Sequence, residues 1–389
     1  MKICAITKPR NESDIIESFC RYTLTYCECI YTSCLPSDDN TVQIIDNLID
    51  EGLNIFKHYA YYKNELLDIA VRESGADLFL PLDPDEFYCT ETGGNPRDIL
   101  LRLDENKYYE TKWRTYIYSG YGAPGGGTSF SPFCFCEYRD PSLEKFGKAI
   151  ISRKLYEKYN PSGSPGFHSI VFPEEARVEA LNPEGLVLAH FPVRNKTQML
   201  IKVITGKIHN VLRNDANGFQ YNNIYGKIRD TSDISDELMR RISLEYALQE
   251  NEIPDNIRTV EGGLDADACQ SSITMKYSSL YEDTHRLVLK TVLREFDRAF
   301  TRYHTIVNNN REEVDANLQE YEKNTLHDFT REELANSKAL IVKLQNRIIQ
   351  VNNNAHELNE SLAKIHFSRA WKIAKVLSRV YSFFRGKHT

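Results

Sequence analysis

Three carboxylates fall within four residues in Leu78-Phe79-Leu80-Pro81-Leu82-Asp83-Pro84-Asp85-Glu86-Phe87, directly after an apolar run of strand length. Asp83, Asp85 and Glu86 repel one another at this spacing, and a shared cation is the simplest way to keep all three ionised. Hard oxygen donors with no thiolate among them favour Mg2+ or Mn2+. Such a cation can in turn hold a diphosphate. The competing reading is a solvated acidic turn, the usual fate of a run of charge. Glu86 has two open roles, orienting a metal's water shell or capping the turn.

The flanking sequence supplies elements that would place this turn at a ligand site. Residues 2–7 read as a short buried strand and 12–26 as a helix with Ile15, Ile16, Phe19 and Thr23 at helical spacing. A second strand at 29–34 ends in Ser37-Asp38-Asp39-Asn40-Thr41, and the helix after it stops at Gly52. A third strand, 54–57, and a third helix, 65–74, lead into the acidic stretch. Strands alternating with helices in this way predict a parallel, doubly wound sheet. Ligands bind such sheets at the carboxyl ends of the strands, so Asp38/Asp39 and Asp83/Asp85 are expected on one edge. The loop Thr7-Lys8-Pro9-Arg10-Asn11-Glu12 reaches that edge too, with a hydroxyl, a guanidinium and an amide suited to a nucleotide.

Arg10-Asn11-Glu12, Ser37-x-Asp39-x-Thr41 and Asp83-Pro84-Asp85-Glu86-Phe87 together resemble the GT-A glycosyltransferases, in particular the family 2-like bacterial group whose metal motif reads D-x-D-E-F. Further matches follow in order: Trp113-Arg114 with Ser119-Gly120, Lys148 and Arg153, Gly166-Phe167-His168, His190-Phe191-Pro192-Val193-Arg194, then Lys202 and Gly206. The likeness spans about residues 1–210. Pro84 within the metal motif and Tyr116-Ile117-Tyr118 after the tryptophan depart from the group's pattern. The resemblance implies an α/β, Rossmann-like GT-A catalytic domain with a mostly parallel sheet. It also implies inverting transfer from a nucleoside diphosphate sugar, a UDP-sugar in expectation, using Mn2+ or Mg2+.

By the same resemblance Asp85 coordinates the metal, Asp83 contacts the metal or the ribose, and Thr7, Asn11 and Asp39 surround the base and ribose. Arg10 and Asp38 join them as nucleotide-sugar-binding candidates. His190 is the expected further metal ligand and His168 its alternative. Arg194 can grip a diphosphate with a planar fork and Lys202 with a point charge. An inverting reaction also needs a carboxylate base on the acceptor side. Glu137 and Asp140 are the candidates for it, with Glu144 nearby, and Trp113 is a candidate surface for an acceptor sugar to stack on. The glycine-rich run 120–128 lacks the G-K-[S/T] ending of a phosphate loop and reads instead as an acceptor loop.

At 389 residues, 41% hydrophobic and 26% charged, the chain holds enough for one large core and two or three structural units. A net charge of −7 disfavours nucleic acid as a partner. Nine cysteines without paired C-x-x-C spacing, in a chain opening without a basic and apolar leader, read as cytosolic thiols. We expect the catalytic domain over 1–280, a helical region over 281–366 and a final segment over 367–389. Ile341, Leu344, Ile348, Val351, Ala355, Leu358, Leu362 and Ile365 recur at three- and four-residue steps, the coiled-coil period, and favour a parallel homodimer, with higher homo-oligomers or packing on the catalytic domain as the alternatives. The last segment alternates bases with Trp371, Leu377, Tyr381 and Phe384 and contains no acid. It reads as a helix lying on the inner face of the cell membrane, with docking on a protein as the alternative. Together these predict a cytoplasmic, peripheral enzyme acting on a glycan or glycolipid acceptor. An idle GT-A-like scaffold and a nucleotide-sugar hydrolase are the competing functions.

Overall fold

The computed structural model describes residues 1–295 apart from 34–35, 121–136, 214–218, 230, 232–233, 250–252, 255, 263–272, 282–286 and 289. The chain divides into one compact unit, Met1–Arg302, and a second, Tyr303–Thr389. The expected coiled coil and terminal basic helix fall outside the described residues, as does most of the glycine-rich run.

The first strands and helices follow the anticipated alternation: β1 (Ile3–Thr7), α1 (Ile16–Thr23), β2 (Cys29–Ser33), α2 (Thr41–Asp50), β3 (Ile55–His58), α3 (Lys63–Glu73) and β4 (Leu78–Pro81). β1 explains why both faces of the sheet are covered. Ile3 and Ala5 point into a core with α1 and α2, whereas Cys4 and Ile6 point into a second core with α3. A strand buried on both faces has to be apolar throughout, as Ile3-Cys4-Ala5-Ile6 is.

The remaining elements are β5 (Glu86–Thr90), α4 (Arg97–Leu100), β6 (Tyr108–Thr115), β7 (Glu137–Arg139), β8 (Gly147–Ser152), α5 (Arg153–Tyr159), β9 (Ser162–Gly163), β10 (Ile170–Val171), β11 (Ala180–Leu181), β12 (Leu186–His190), α6 (Lys196–Arg213), α7 (Phe219–Ile228), α8 (Asp236–Glu245) and β13 (Thr259–Glu261). The main sheet has the order β3-β2-β1-β4-β8-β6-β12-β5, with β11 beside β6. Parallel pairing holds across β3-β2-β1-β4 as expected. Beyond β4 the sheet is mixed: β8 runs antiparallel to both β4 and β6, and β5 antiparallel to β12. The doubly wound expectation therefore describes the first half and not the second. β5 does not stay beside β4 but crosses to the far edge of the sheet.

Two devices extend the unit past residue 210. Arg139, fully buried, donates to the carbonyls of Leu244 and Tyr246 at 3.0 and 2.8 Å and to Glu144 at 2.6 Å, which fixes the end of α8 against β7. Residues 273–281 wrap α1 and α2. Glu17 accepts from the Lys276 and Tyr277 backbone at 2.7 and 2.9 Å, and Glu51 accepts from Arg21 at 2.8 Å and Lys276 at 2.7 Å.

Hydrogen bonds from Arg21, Lys276 and Tyr277 pull the Glu51 carboxyl from 4.5 down to about 2. A depressed carboxylate contributes stability that is complete above its unfolded pKa and lost as pH falls through its folded one. Glu51→Gln should lower the urea midpoint at neutral pH, and the gap from the parent should close as pH falls from 4.5 toward 2.

Candidate active site

The acidic turn is held by backbone before any side chain acts. β5 pairs with β12 so that His190 stands opposite Glu86, and the Phe191 N–H donates to the Asp85 carbonyl at 2.8 Å. The D-x-D-E-F and H-F-x-x-R segments are thus one structural unit, although about a hundred residues separate them. Phe87 anchors it, buried edge-on against the rings of Phe19, Tyr22 and Phe191.

Glu86 takes the capping role. One carboxylate oxygen accepts the Asp83 N–H at 2.7 Å, the other accepts the Trp113 indole N–H at 2.7 Å, and Lys148 lies 3.4 Å away. Burial raises this carboxyl to about 7, against the pull of Lys148. Asp83 and Asp85 diverge from the cap. Asp83 receives Lys63 at 2.5 Å and Lys148 at 2.6 Å. Burial would raise the Asp83 carboxyl, but these two cations bring it well below the ordinary range. Its 39% side-chain exposure lets water temper that pull. Asp85 is buried and faces Lys202 at 2.6 Å, Arg194 at 3.8 Å and His190 at 3.9 Å. Burial acts against its ionisation too, and the Lys202 and Arg194 charges keep it ionised.

His190 is buried, stacked on Trp113 with ring centroids 4.0 Å apart, and its Nδ1 has no hydrogen-bond partner among the described residues. Burial, with Lys202 and Lys148 nearby, lowers it to about 3, so the imidazole is neutral and its lone pair is available. Among the described residues no three His, Cys, Asp or Glu side chains converge as a ready-made metal cage. Asp85 and His190 could offer two ligands, a donor set that would fit a hard divalent cation completing its shell with phosphate oxygens and water. Asp83 turns toward the lysines instead. His168, the alternative ligand, is held elsewhere: its Nδ1 lies 2.8 Å from the Gly147 carbonyl and its ring meets Trp113 edge-on. Gly166 has φ +75, and a Cβ there would approach the His168 ring at 2.7 Å, which accounts for glycine in Gly166-Phe167-His168.

Arg194 is fully buried and is not open to a diphosphate. It donates two bonds to Asp14, at 2.7 and 2.9 Å, reaches Glu12, and lies behind Asp85. Lys202 keeps 21% exposure. Gly206 lies one turn further along α6, where a Cβ would collide with the Tyr221 ring at 2.4 Å.

The nucleotide candidates sit where the sheet edge predicts. Thr7, at the end of β1, is buried with its hydroxyl unpartnered among the described residues. Asn11 adopts φ +58, and its amide brackets Asp38, accepting the Asp38 N–H at 2.6 Å and donating to its carboxylate at 3.3 Å. Asp39 is committed to structure, accepting from Thr41 at 3.0 Å and Ser13 at 2.8 Å. Arg10 pairs with Glu295.

The acceptor-side candidates are not gathered at the turn. Glu137 is held by both guanidinium nitrogens of Arg240 at 2.7 Å, Asp140 caps the turn at Ser142 at 2.9 Å, and Glu144 is buried on Arg139. Trp113 is 8% exposed, with one face on His190 and its N–H on Glu86, so it braces the site and offers no stacking surface to a sugar. A cleft of about 440 Å3 lies instead beyond the end of β6, lined among the described residues by Tyr118, Ser119, Gly120, Asp236, Glu237 and Arg240.

Sequence reasoning missed Lys63, Asp14 and Tyr246, whose ring lies 5.6 Å from His190. Lys63 carried a signal: a cation in the first turn of a helix opposes the helix dipole unless a carboxylate holds it there. Asp14 had none, because its partner is 180 residues away.

No family model and no curated protein sequence matches the chain. Among solved structures it is similar to GalNAc-T7 with UDP, GalNAc and Mn2+, at 11% identity and a TM-score of 0.30, covering 62% of this chain. The chain spans just over half of GalNAc-T7, 55%. It is also similar to the mannosyltransferase PcManGT from Pyrobaculum calidifontis in complex with GDP-Man and Mn2+, at 12% identity and a TM-score of 0.32, covering 76% of this chain and 87% of that one. HddC from Yersinia pseudotuberculosis is similar at 14% identity and a TM-score of 0.27, covering 47% and 90%.

Removing one member of a buried charge pair leaves the other uncompensated, at a cost of about 3–5 kcal/mol. Lys148→Met, which leaves the buried Glu86 without a cation and Asp83 with Lys63 alone, should show a loss of this size in urea unfolding. Lys63→Met, which leaves Asp83 its second cation, should cost clearly less.

Proposed function

We propose that the chain is a GT-A glycosyltransferase of the family 2-like bacterial group, transferring a sugar from a nucleoside diphosphate sugar, a UDP-sugar first among donors, to a glycan or glycolipid acceptor. The observation that carries this reading is the convergence on one turn of Asp85, His190 and Lys202, from three separate segments, at the carboxyl edge of the parallel strands. Mn2+ or Mg2+ held by Asp85 and His190 would neutralise the charge growing on the leaving diphosphate. Lys202, a partly exposed cation on Asp85, would bind a diphosphate oxygen directly. Arg194 acts from behind, fixing Asp85 rather than touching the donor. Lys63 and Lys148 keep Asp83 ionised and aligned for a ribose hydroxyl, while Thr7, Asn11 and Asp38 receive the rest of the nucleoside.

The acceptor enters from the cleft beyond β6. In the register of β6 with β12, Thr115 stands beside His190. Tyr118 to Gly120 follow within roughly 10–17 Å of extended chain. Asp236 and Glu237 there offer carboxylates to acceptor hydroxyls. The three- and four-residue apolar steps of 334–365 and the acid-free basic segment 367–387 support homo-oligomerisation and attachment to the cytoplasmic membrane face.

Thermal midpoints against a panel of nucleoside diphosphate sugars, each with Mn2+ and with chelator, test the reading. A ligand that binds the folded state raises the midpoint, so one nucleotide class should do so with metal only. Asp85→Asn should abolish that shift while remaining folded. Lys202→Ala should weaken donor binding about tenfold or more, the worth of one charge-assisted hydrogen bond. No shift with any donor overturns the reading, and sugar release without transfer reassigns the chain to the hydrolases.

A further inference from the structure

The nucleotide edge is not open. After wrapping α1 and α2, the chain returns across the loops that follow β1 and β2. The Asn40 side chain donates to the Leu280 carbonyl at 2.6 Å, Lys290 reaches the Asp38 carbonyl, Arg294 donates to the Asp38 carboxylate at 2.9 Å, and Glu295 pairs with Arg10. Residues 287–288 and 290–295 are helical, with Leu287, Thr291 and Glu295 turned inward, each 1–3% exposed, and Leu293 and Arg294 outward. This short helix thus engages Asp38 and Arg10, two of the groups assigned above to the nucleotide.

We propose that the helical residues 287–288 and 290–295 are a displaceable cover over the nucleotide edge, competing with the donor for Asp38 and Arg10; this rests on the nucleotide-sugar reading. Its attachments suit that role. The wrap before it is secured by two backbone N–H bonds to the buried Glu17. The helix itself is tied to Asp38 by Lys290 and Arg294, both exposed. Among the described residues Lys290 meets only the Asp38 carbonyl, and Arg294 stays half exposed on the buried Asp38 carboxylate, so solvent reaches this hold from the Arg294 side. A ribose hydroxyl or base N–H of an arriving nucleotide, donating to the Asp38 carboxylate, would replace Arg294 there and leave the helix without its outer hold, while the wrap stays in place.

A protein that must open before it binds has an apparent affinity reduced by the fraction open. Lys290→Ala/Arg294→Ala loosens the cover without touching the acidic turn. In calorimetric titration of the full chain with the nucleoside diphosphate sugar that gives the metal-dependent thermal shift, the double variant should bind about three- to tenfold more tightly than the parent. Arg294→Gln alone, which removes the charge on Asp38 without adding an acid, should act in the same direction. Hydrogen exchange supplies a second readout: protection across 287–295 should fall when that donor is added to the parent, with 276–281 unchanged. Unchanged or weaker binding by the variants, or greater protection of the helix with donor, overturns the cover alone. Binding of no donor by parent and variants overturns the nucleotide reading and the cover with it.

Discussion

The site depends on the solvation of Glu86. A carboxylate cut off from water is stable only if every lone pair meets a donor, and this one has the Asp83 backbone, the Trp113 indole and, further off, the Lys148 ammonium. Those bonds fix the turn between β4 and β5, and the turn decides where its neighbours point. Asp83 goes to one side and Asp85 to the other because the centre is already filled. The acid at the centre of the turn thereby gives the two outer acids separate surroundings.

Those surroundings divide the labour by charge. Lys63 and Lys148 offset Asp83, whereas Asp85 shares Lys202 and Arg194 with a neutral histidine. Four cations around a short acidic turn would be puzzling in a purely structural motif, where apolar replacements pack as well at lower desolvation cost. Under the proposed nucleotide-sugar reading, some of them would be available to a diphosphate. Arg194 illustrates the hierarchy, being too deeply paired with Asp14 to move, while Lys202 is partly wet and free to exchange partners.

Much of this was legible in the residues. The first four strands announced themselves by apolar runs between helical stripes, and Asp85, His190 and Lys202 stood out by type and by motif order. What could not be read was the second half of the sheet. Nothing local to Gly147–Ser152 says that it inserts antiparallel between β4 and β6, because strand order is settled by non-local pairing. The roles of Trp113 and Arg194 were misjudged for a related reason. A tryptophan or arginine in a motif looks like a ligand contact until the partner that covers it is known, and those partners, Glu86 with His190 and Asp14, lie far away in sequence. Glu137 and Asp140 looked like bases by position, yet each had a nearer claimant, Arg240 for one and the Ser142 amide for the other.

The pairing of β5 with β12 has a consequence for how the chain is made. Phe87 must wait for Ala189, its register partner, about a hundred residues later, and contacts of such long separation close late in folding. On the ribosome, Asp83, Asp85 and Glu86 therefore emerge well before Lys148, His190 and Lys202, the groups that later enclose them. During that interval the nascent chain carries an acidic knot with only Lys63 of its cations already made, at the end of a half-built sheet whose apolar β4 edge still lacks β8. The charge that must be balanced in the finished protein is in the growing one a soluble flank on a sticky strand, keeping it from premature partners until its own arrive.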